Sequence, residues 1–356
     1  MRVAVIGAGI NGIMSAWALA DAGHQVSLIE RGRAMSETSS ASSKMLHGGL
    51  RYLEHGEISL VREGLRERAW WIESAPQLAQ AFELLLPVYR NASRGRLMLK
   101  LGLLAYDLLS GKRSLGRHRW LGPDELRKQT PGLRRENLQG SYLYFDGRMD
   151  DRALGLWALT RATADGVNLR EQQAVEKIDI DGGVYIAGER EFYDRVINVA
   201  GPWAGELLAR SGIDSNYRLD LIRGSHLIVS QPLSIGFLLQ SPDDGRVCFV
   251  LPYQGRALIG TTEVRQTLGE PIACSAQERD YLLNLWNAYF ETQLGAADIA
   301  GEFSGLRPLV AGTGGDAQKI SRDYEIERRG RLVSVFGGKW TTARALGRKV
   351  AEIVGR

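Results

Sequence analysis

An α/β architecture built on a parallel sheet, with an α+β portion of mostly antiparallel strands inserted into it, is predicted by three observations. The chain opens on an apolar run, Val3 to Ile6, that passes through closely spaced glycines into a helical pattern and then a second strand. Two further apolar runs, Val196 to Ala200 and Leu332 to Phe336, also end on glycine turns. Between Arg218 and Ile299, by contrast, short strands precede a single helical stretch, Ala276 to Leu294. Strands without a polar face suit a parallel sheet covered on both sides. The three apolar runs therefore belong to one sheet and the region between Arg218 and Ile299 to another.

The first thirty residues specify a strand, tight turn, helix and strand in register. Gly7, Gly9 and Gly12 fit G-x-G-x-x-G. The first glycine makes the turn, the second lets a pyrophosphate approach the backbone, and the third lets helix and strand pack closely. Phosphates would sit at the helix N-terminus, where free N–H groups and the dipole favour negative charge. Gly23 stops the helix, and Gln25 to Glu30 forms the next strand. Glu30 ends that strand, about twenty residues after the turn, where an acid takes a ribose hydroxyl. These features predict a Rossmann-like dinucleotide site, with NAD and FAD both open because they share the turn.

The 356 residues exceed one ordinary core and predict two domains. Apolar and charged contents of 44% and 24% are those of a globular protein. A net charge of +4 argues against a dedicated nucleic-acid binder while allowing a local basic pocket. Cys248 and Cys274 have neither C-x-x-C nor metal-ligand spacing, so buried thiols in a reducing compartment are expected, with no metal site. The first strand starts at once, leaving no secretory leader, and no apolar run reaches roughly eighteen residues, so a cytoplasmic location is expected.

A hydroxyl-rich stretch, Ser36 to Ser43, closes on Lys44, His47, Gly48, Gly49 and Arg51. Residues 57–75 carry Ile58, Val61, Leu65, Ala69 and Ile72 at helical spacing with a solvated charged face. In 94–113, Leu97, Leu101, Leu104 and Leu108 form an apolar stripe flanked by Arg94, Arg96, Lys100, Lys112 and Arg113. Such a helix either packs between domains or lies on anionic lipid. Residues 122–132 read as a short helix ended by Pro131. Residues 143–166 read as a strand, a turn capped by Asp150 or Asp151, and a helix stopped by Gly166. Strands alternate around Asp181-Gly182-Gly183 before the return to Val196. Thr341 to Val354 reads as a helix with Thr341 or Thr342 as N-cap. The predicted division is 1–85, 143–217 and 300–356 for the cofactor domain, and 86–142 with 218–299 for the substrate domain.

Six blocks in order, SSASSKMLHGGLRYLE (39–54), VINVAGPWA (196–204), RGSHLIV (223–229), LIGTTE (258–263), SGLRPL (304–309) and VSVFGGKWTT (333–342), resemble the FAD-dependent glycerol-3-phosphate dehydrogenase family. That family lies within the larger flavin amine and hydroxy-acid oxidase group. Two departures stand out: members usually continue into a helical C-terminal domain, whereas this sequence ends at Arg356, and Glu263 stands where Asp is more common.

The resemblance implies FAD as cofactor, a phosphorylated alcohol as substrate, and quinone or another electron acceptor, at the inner face of the cytoplasmic membrane. It is compatible with a homo-oligomer. It places the cofactor on Gly7, Gly9, Asn11, Gly12, Glu30, Ser39, Ser40, Ser43, Lys44, His47, Gly48 and Gly49, then on Val175, Ala200, Gly201, Trp203, Gly338, Lys339, Thr341 and Thr342. It places the substrate against Arg51, Tyr52, His226, Arg307 and Lys339. Of these, Lys339 and Arg51 would hold the anionic end and Arg307 the reacting oxygen, with His226 the candidate base; Arg307, His226 and Lys339 thus form the catalytic set. The helix after Gly337-Gly338 would face the flavin's pyrimidine ring and stabilise its negative charge on reduction. A 2-hydroxy acid or amine substrate, and a non-catalytic FAD-binding subunit, stay open as alternatives.

Overall fold

The computed structural model describes residues 1–90, 94–130, 132–311 and 324–355, so the expected helix stop at Pro131 lies outside the described residues. The chain starts with β1 (Arg2–Ile6), α1 (Ile10–Asp21) and β2 (Gln25–Ile29). After a serine-rich loop follow β3 (Met45–Leu46), α2 (Ile58–Ser74), β4 (Ala79–Tyr89) and α3 (Arg96–Ser110). Next come β5 (Arg119–Leu121), α4 (Pro123–Gln129), β6 (Leu138–Met149) and α5 (Asp151–Ala164). Short strands β7 (Asn168–Arg170), β8 (Val175–Ile178), β9 (Gly183–Ile186), β10 (Glu189–Phe192) and β11 (Arg195–Asn198) lead to α6 (Ala204–Arg210). Then run β12 (Leu219–Val229), β13 (Gly236–Gln240), β14 (Val247–Tyr253), β15 (Arg256–Gly260), β16 (Val264–Arg265) and α7 (Ala276–Tyr289). The chain closes with β17 (Ile299–Val310), β18 (Tyr324–Arg329), β19 (Leu332–Gly337) and α8 (Ala343–Val354).

The three apolar runs do share one sheet, ordered β18-β19-β11-β1-β2-β7 and parallel from β19 to β7. α1, α5 and α8 cover one face of it, burying Ile13, Leu154 and Leu346 completely or nearly so. The fold class read from the sequence therefore holds: a Rossmann-like α/β portion accompanied by a largely antiparallel sheet. In that second sheet, of ten strands among the described residues, β12 pairs with β15, β16 and β17, and of the sheet's pairings there only the β13–β4 step is parallel. A third, three-stranded sheet is β10-β9-β8.

The positions 85/86 and 142/143 fall inside β4 and β6, which pair with each other along their whole length. Residues 79–85 and 143–149 thus belong to the second sheet and bridge the two regions rather than ending one of them. Helix α7 stops at Tyr289, short of Leu294, because Asn287 Oδ1 accepts from Leu294 N–H and Trp286 Nε1 donates to Thr292 O, folding the chain back. Asp150 caps α5 by accepting from Ala153 N–H at 2.9 Å. Thr342 occupies the N-cap position of α8 but makes no side-chain cap bond, its backbone having left the extended conformation that capping requires. Both cysteines are buried free thiols, and burial pushes each up to about 11.

Five of the tryptophans cluster where α1, α2, α5 and the entry to α8 meet. Trp340 stands 5.0 Å from Trp71, which is 4.8 Å from Trp70 and 6.3 Å from Trp157; Trp17 lies 6.2 Å from both Trp70 and Trp157, all as ring centroids. No helix among the described residues is long and apolar enough to cross a membrane.

Candidate active site

The opening turn is built as the glycine spacing requires. Gly7 has φ +103°, and a Cβ at Gly12 would lie 1.8 Å from Gly7 O, so only glycine lets α1 begin so close to β1. Glu30 at the end of β2 is fixed by its backbone neighbours: Oε2 accepts from Ala8 N–H at 2.8 Å and Oε1 from Gly32 N–H at 2.9 Å. An acceptor with two oxygens retains lone pairs for a ribose hydroxyl. Ser39 Oγ accepts from Ile10 N–H at the start of α1, and Ser39 O accepts from Trp340 Nε1, tying the serine loop to the last segment.

These groups open into a cavity of about 570 Å³ running between the two large sheets. Gly7, Gly9, Asn11, Gly12, Glu30, Ser39, Ser43, His47, Gly49, Val175, Ala200, Gly201, Trp203, Gly338, Lys339 and Thr341 line it, together with Arg51, Tyr52, His226 and Arg307. Asn11 Oδ1 is buried there without a hydrogen-bond partner among the described residues. A cavity of this size with a glycine turn, a held acid and an unpaired amide oxygen fits FAD: Gly7 to Gly12 would hold its phosphates, Glu30 its ribose, and Gly338 to Thr341 its ring.

Four expected cofactor residues are directed elsewhere. Ser40 Oγ donates to Met35 O. Lys44 Nζ binds Asp151 Oδ1 at 2.7 Å and Ser40 O at 2.8 Å, one layer behind the cavity wall. Gly48 is pressed against Leu65 and Tyr106 while its N–H donates to Asp146 Oδ1, and Thr342 is buried at the start of α8. Asp146 is itself held by Arg68 at 2.9 Å, with both side chains almost wholly buried, so the Gly48-Gly49 turn rests on an ion pair.

The polar groups of the substrate region come from paired strands. His226 on β12 lies opposite Phe303 on β17, and the two rings stack at 4.7 Å. His226 Nε2 is 2.8 Å from Ser43 Oγ. Burial above all, then the charges of Lys44 and Arg307, lowers its pKa to about 3, so it is neutral at pH 7. Arg307 Nη2 donates to Thr262 O at 2.9 Å, and its Nη1 lies 3.4 Å from Glu263 Oε1. The bare backbone of Gly224 makes room for this, since a Cβ there would come within 3.2 Å of Arg307 Nη2. Lys339 Nζ sits over the Tyr52 ring at 4.4 Å.

Several lining residues escaped the reading of the sequence. Arg246 on the turn into β14 lies 3.4 Å from Glu263 Oε1, opposite Arg307. Arg31 stacks on Trp203 at 3.9 Å, a pairing its place beside Glu30 could have suggested. Behind the wall, Ser42 Oγ and Lys44 Nζ both donate to the buried carboxylate of Asp151, and nothing local announces a contact across more than a hundred residues. No cluster of potential metal ligands occurs among the described residues.

The FAD dependent oxidoreductase family matches residues 2–353. An aerobic glycerol-3-phosphate dehydrogenase of Staphylococcus epidermidis is 30% identical over 375 residues, covering 99% of this chain and 67% of its own. The glycerol-3-phosphate dehydrogenase of Bacillus halodurans, solved with FAD, superposes with a TM-score of 0.80 at 27% identity over 100% of this chain and 64% of its own. A glycine oxidase from Geobacillus kaustophilus gives 0.75 at 22% identity, covering 100% of this chain and 95% of its own, a likeness of fold. The chain thus spans about two thirds of the length of the glycerol-3-phosphate dehydrogenases it matches. With its glycine turn, held acid and large cavity, the chain belongs to the FAD-dependent oxidoreductase family, in the company of the glycerol-3-phosphate dehydrogenases.

Proposed function

We propose that the chain oxidises the secondary alcohol of sn-glycerol 3-phosphate to dihydroxyacetone phosphate and passes the electrons to a quinone or another acceptor. The observation that carries this reading is the gathering of Arg51, Arg307 and Lys339 on the wall of the same cavity that holds the dinucleotide turn. FAD, when bound, supplies the hydride acceptor; the chain's own residues bind, orient and manage charge. Arg51 and Lys339 hold the anionic end of the substrate, each charge-assisted bond worth about 1.5–3 kcal/mol. Arg307, anchored on Thr262 O, faces the reacting oxygen and stabilises charge that develops there.

His226 takes up the hydroxyl proton. Of the causes that hold its basicity down, burial is the largest and the charges of Lys44 and Arg307 follow. An anionic substrate seated beside Arg307 offsets part of that positive field, so the imidazole gains basicity when there is a proton to accept. The outward face of α3 supports a peripheral seat on anionic lipid. Leu97, Leu101 and Leu108 are 70%, 59% and 82% exposed, in a segment that also carries Lys100, Lys112 and Arg113.

The deciding experiment is an anaerobic substrate panel on the FAD-loaded protein. Glycerol 3-phosphate is expected to bleach the flavin. Bleaching by 2-hydroxyglutarate or an amino acid instead would move the activity to the wider oxidase group, and bleaching by none would leave an FAD-binding subunit.

A further inference from the structure

The tryptophan cluster joins the cofactor cavity to the outer surface. Trp340 lines the cavity, and Trp71, fully buried, is in ring contact with it and fixed by an Nε1–H bond to Thr341 O at 3.1 Å. Trp70 and Trp157 surround Trp71, and both meet Trp17. Trp17 Nε1 donates to the exposed carboxylate of Asp165 at 2.7 Å. Each step falls within the range of ordinary aromatic pairs, so the core needs no further reason to pack these rings together. Packing does not, however, require that the series start at the cofactor wall and finish on a proton acceptor in water.

We propose that Trp340, Trp71, Trp70 or Trp157, and Trp17 form a one-electron path by which a light-excited flavin in this cavity is reduced from the protein surface. Indole is hard to oxidise and harder to reduce, so the path cannot carry electrons away from a flavin reduced by substrate. It carries an electron vacancy outward from a strong oxidant, and oxidised flavin becomes one on absorbing blue light.

Trp340 would give one electron to a flavin held in the cavity, and the vacancy left on Trp340 would pass to Trp71, then to Trp70 or Trp157, and on to Trp17. The oxidised Trp17 ring is a strong acid at Nε1 and gives that proton to Asp165, which traps the vacancy at the surface. A thiol in solution returns one electron and one proton to Trp17, Asp165 releases its proton to water, and two thiyl radicals combine as a disulfide. The net change per event is one electron onto the flavin, one thiol converted to a thiyl radical, and one proton released.

The test uses the full-length FAD-loaded chain, degassed, in blue light with dithiothreitol. Three signals are followed: flavin fluorescence, the transient absorbance of the indole radical, and loss of the flavin's visible absorbance. The wild type is expected to show quenched fluorescence, a long-lived indole radical and steady photoreduction. Trp71→Phe should keep the quenching by Trp340 and lose both the long-lived radical and photoreduction. Trp17→Phe, at the surface, should shorten the radical's life and slow photoreduction, while Trp120→Phe, outside the cluster, should match the wild type. Photoreduction unchanged in both Trp71→Phe and Trp17→Phe would overturn the proposal, because the electron would then enter directly at the cavity. Should Trp71→Phe lose its FAD, the Trp17→Phe comparison decides alone, and a wild-type rate there overturns the path.

Discussion

His226 Nε2 and Ser43 Oγ stand 2.8 Å apart, joining the serine loop of the cofactor region to strand β12 of the substrate region. The imidazole is buried and held neutral, with its pKa near 3 against an ordinary 6.5. Above pH 6.5 the ring is neutral in both folded and unfolded chains and the shift contributes nothing to pH dependence. Between 6.5 and 3 the unfolded chain takes a proton that the fold refuses, so stability falls as pH falls, by up to about 1.4 kcal/mol per unit. Denaturant midpoints measured from pH 7 to pH 4 should drop, and His226→Gln should flatten the decline. An equal decline in the variant would place the acid sensitivity elsewhere.

Arg307→Ala should leave a yellow protein whose flavin glycerol 3-phosphate bleaches about tenfold to a hundredfold more slowly, as expected for the loss of one charge-assisted bond to the oxygen on which charge develops. The rate of anaerobic flavin bleaching at subsaturating substrate reads this directly. Unchanged bleaching would mean that the reacting oxygen is handled from another wall of the cavity.

The second and third glycines of the opening turn should differ sharply on replacement by alanine. At Gly12 the added Cβ meets backbone at 1.8 Å, and nothing there can yield; at Gly9 it meets only the Ser39 hydroxyl at 3.0 Å. Gly12→Ala is therefore expected to give misfolded or colourless protein, and Gly9→Ala a folded protein with reduced flavin content. The flavin-to-protein absorbance ratio and circular dichroism separate the two outcomes.

Leu101→Glu combined with Leu108→Glu should abolish co-flotation with phosphatidylglycerol vesicles while changing thermal stability little, since substitutions at exposed positions usually stay within about 0.5 kcal/mol. Wild-type protein that stays wholly in the soluble fraction would remove the lipid reading of α3.

What could be read from the sequence was what backbone sterics and local periodicity determine. The glycine turn, Glu30, a cap at Asp150 or Asp151 and the helix at α2 are each specified within a few residues. The cation set was legible only because it lies inside recognisable blocks; alone, Arg307 is one arginine among many. The bond from Lys44 to Asp151 and the placing of Arg246 opposite Arg307 arise from long-range pairing, for which no neighbouring residue carries a signal. The same holds for β4, whose apolar run is equally compatible with either sheet until β6 and β13 pair with it.

That strand has a consequence for how the molecule comes apart. Ala79 and Met149, at the paired ends of β4 and β6, sit in the core of the parallel sheet, while Leu84 and Leu86 further along β4 sit in the other core. One antiparallel strand pair is thus embedded in both cores, and melting either would strip it from the other. The molecule should lose its structure in a single concerted transition, and excising either portion at residue 85 would release an orphaned strand rather than an autonomous module.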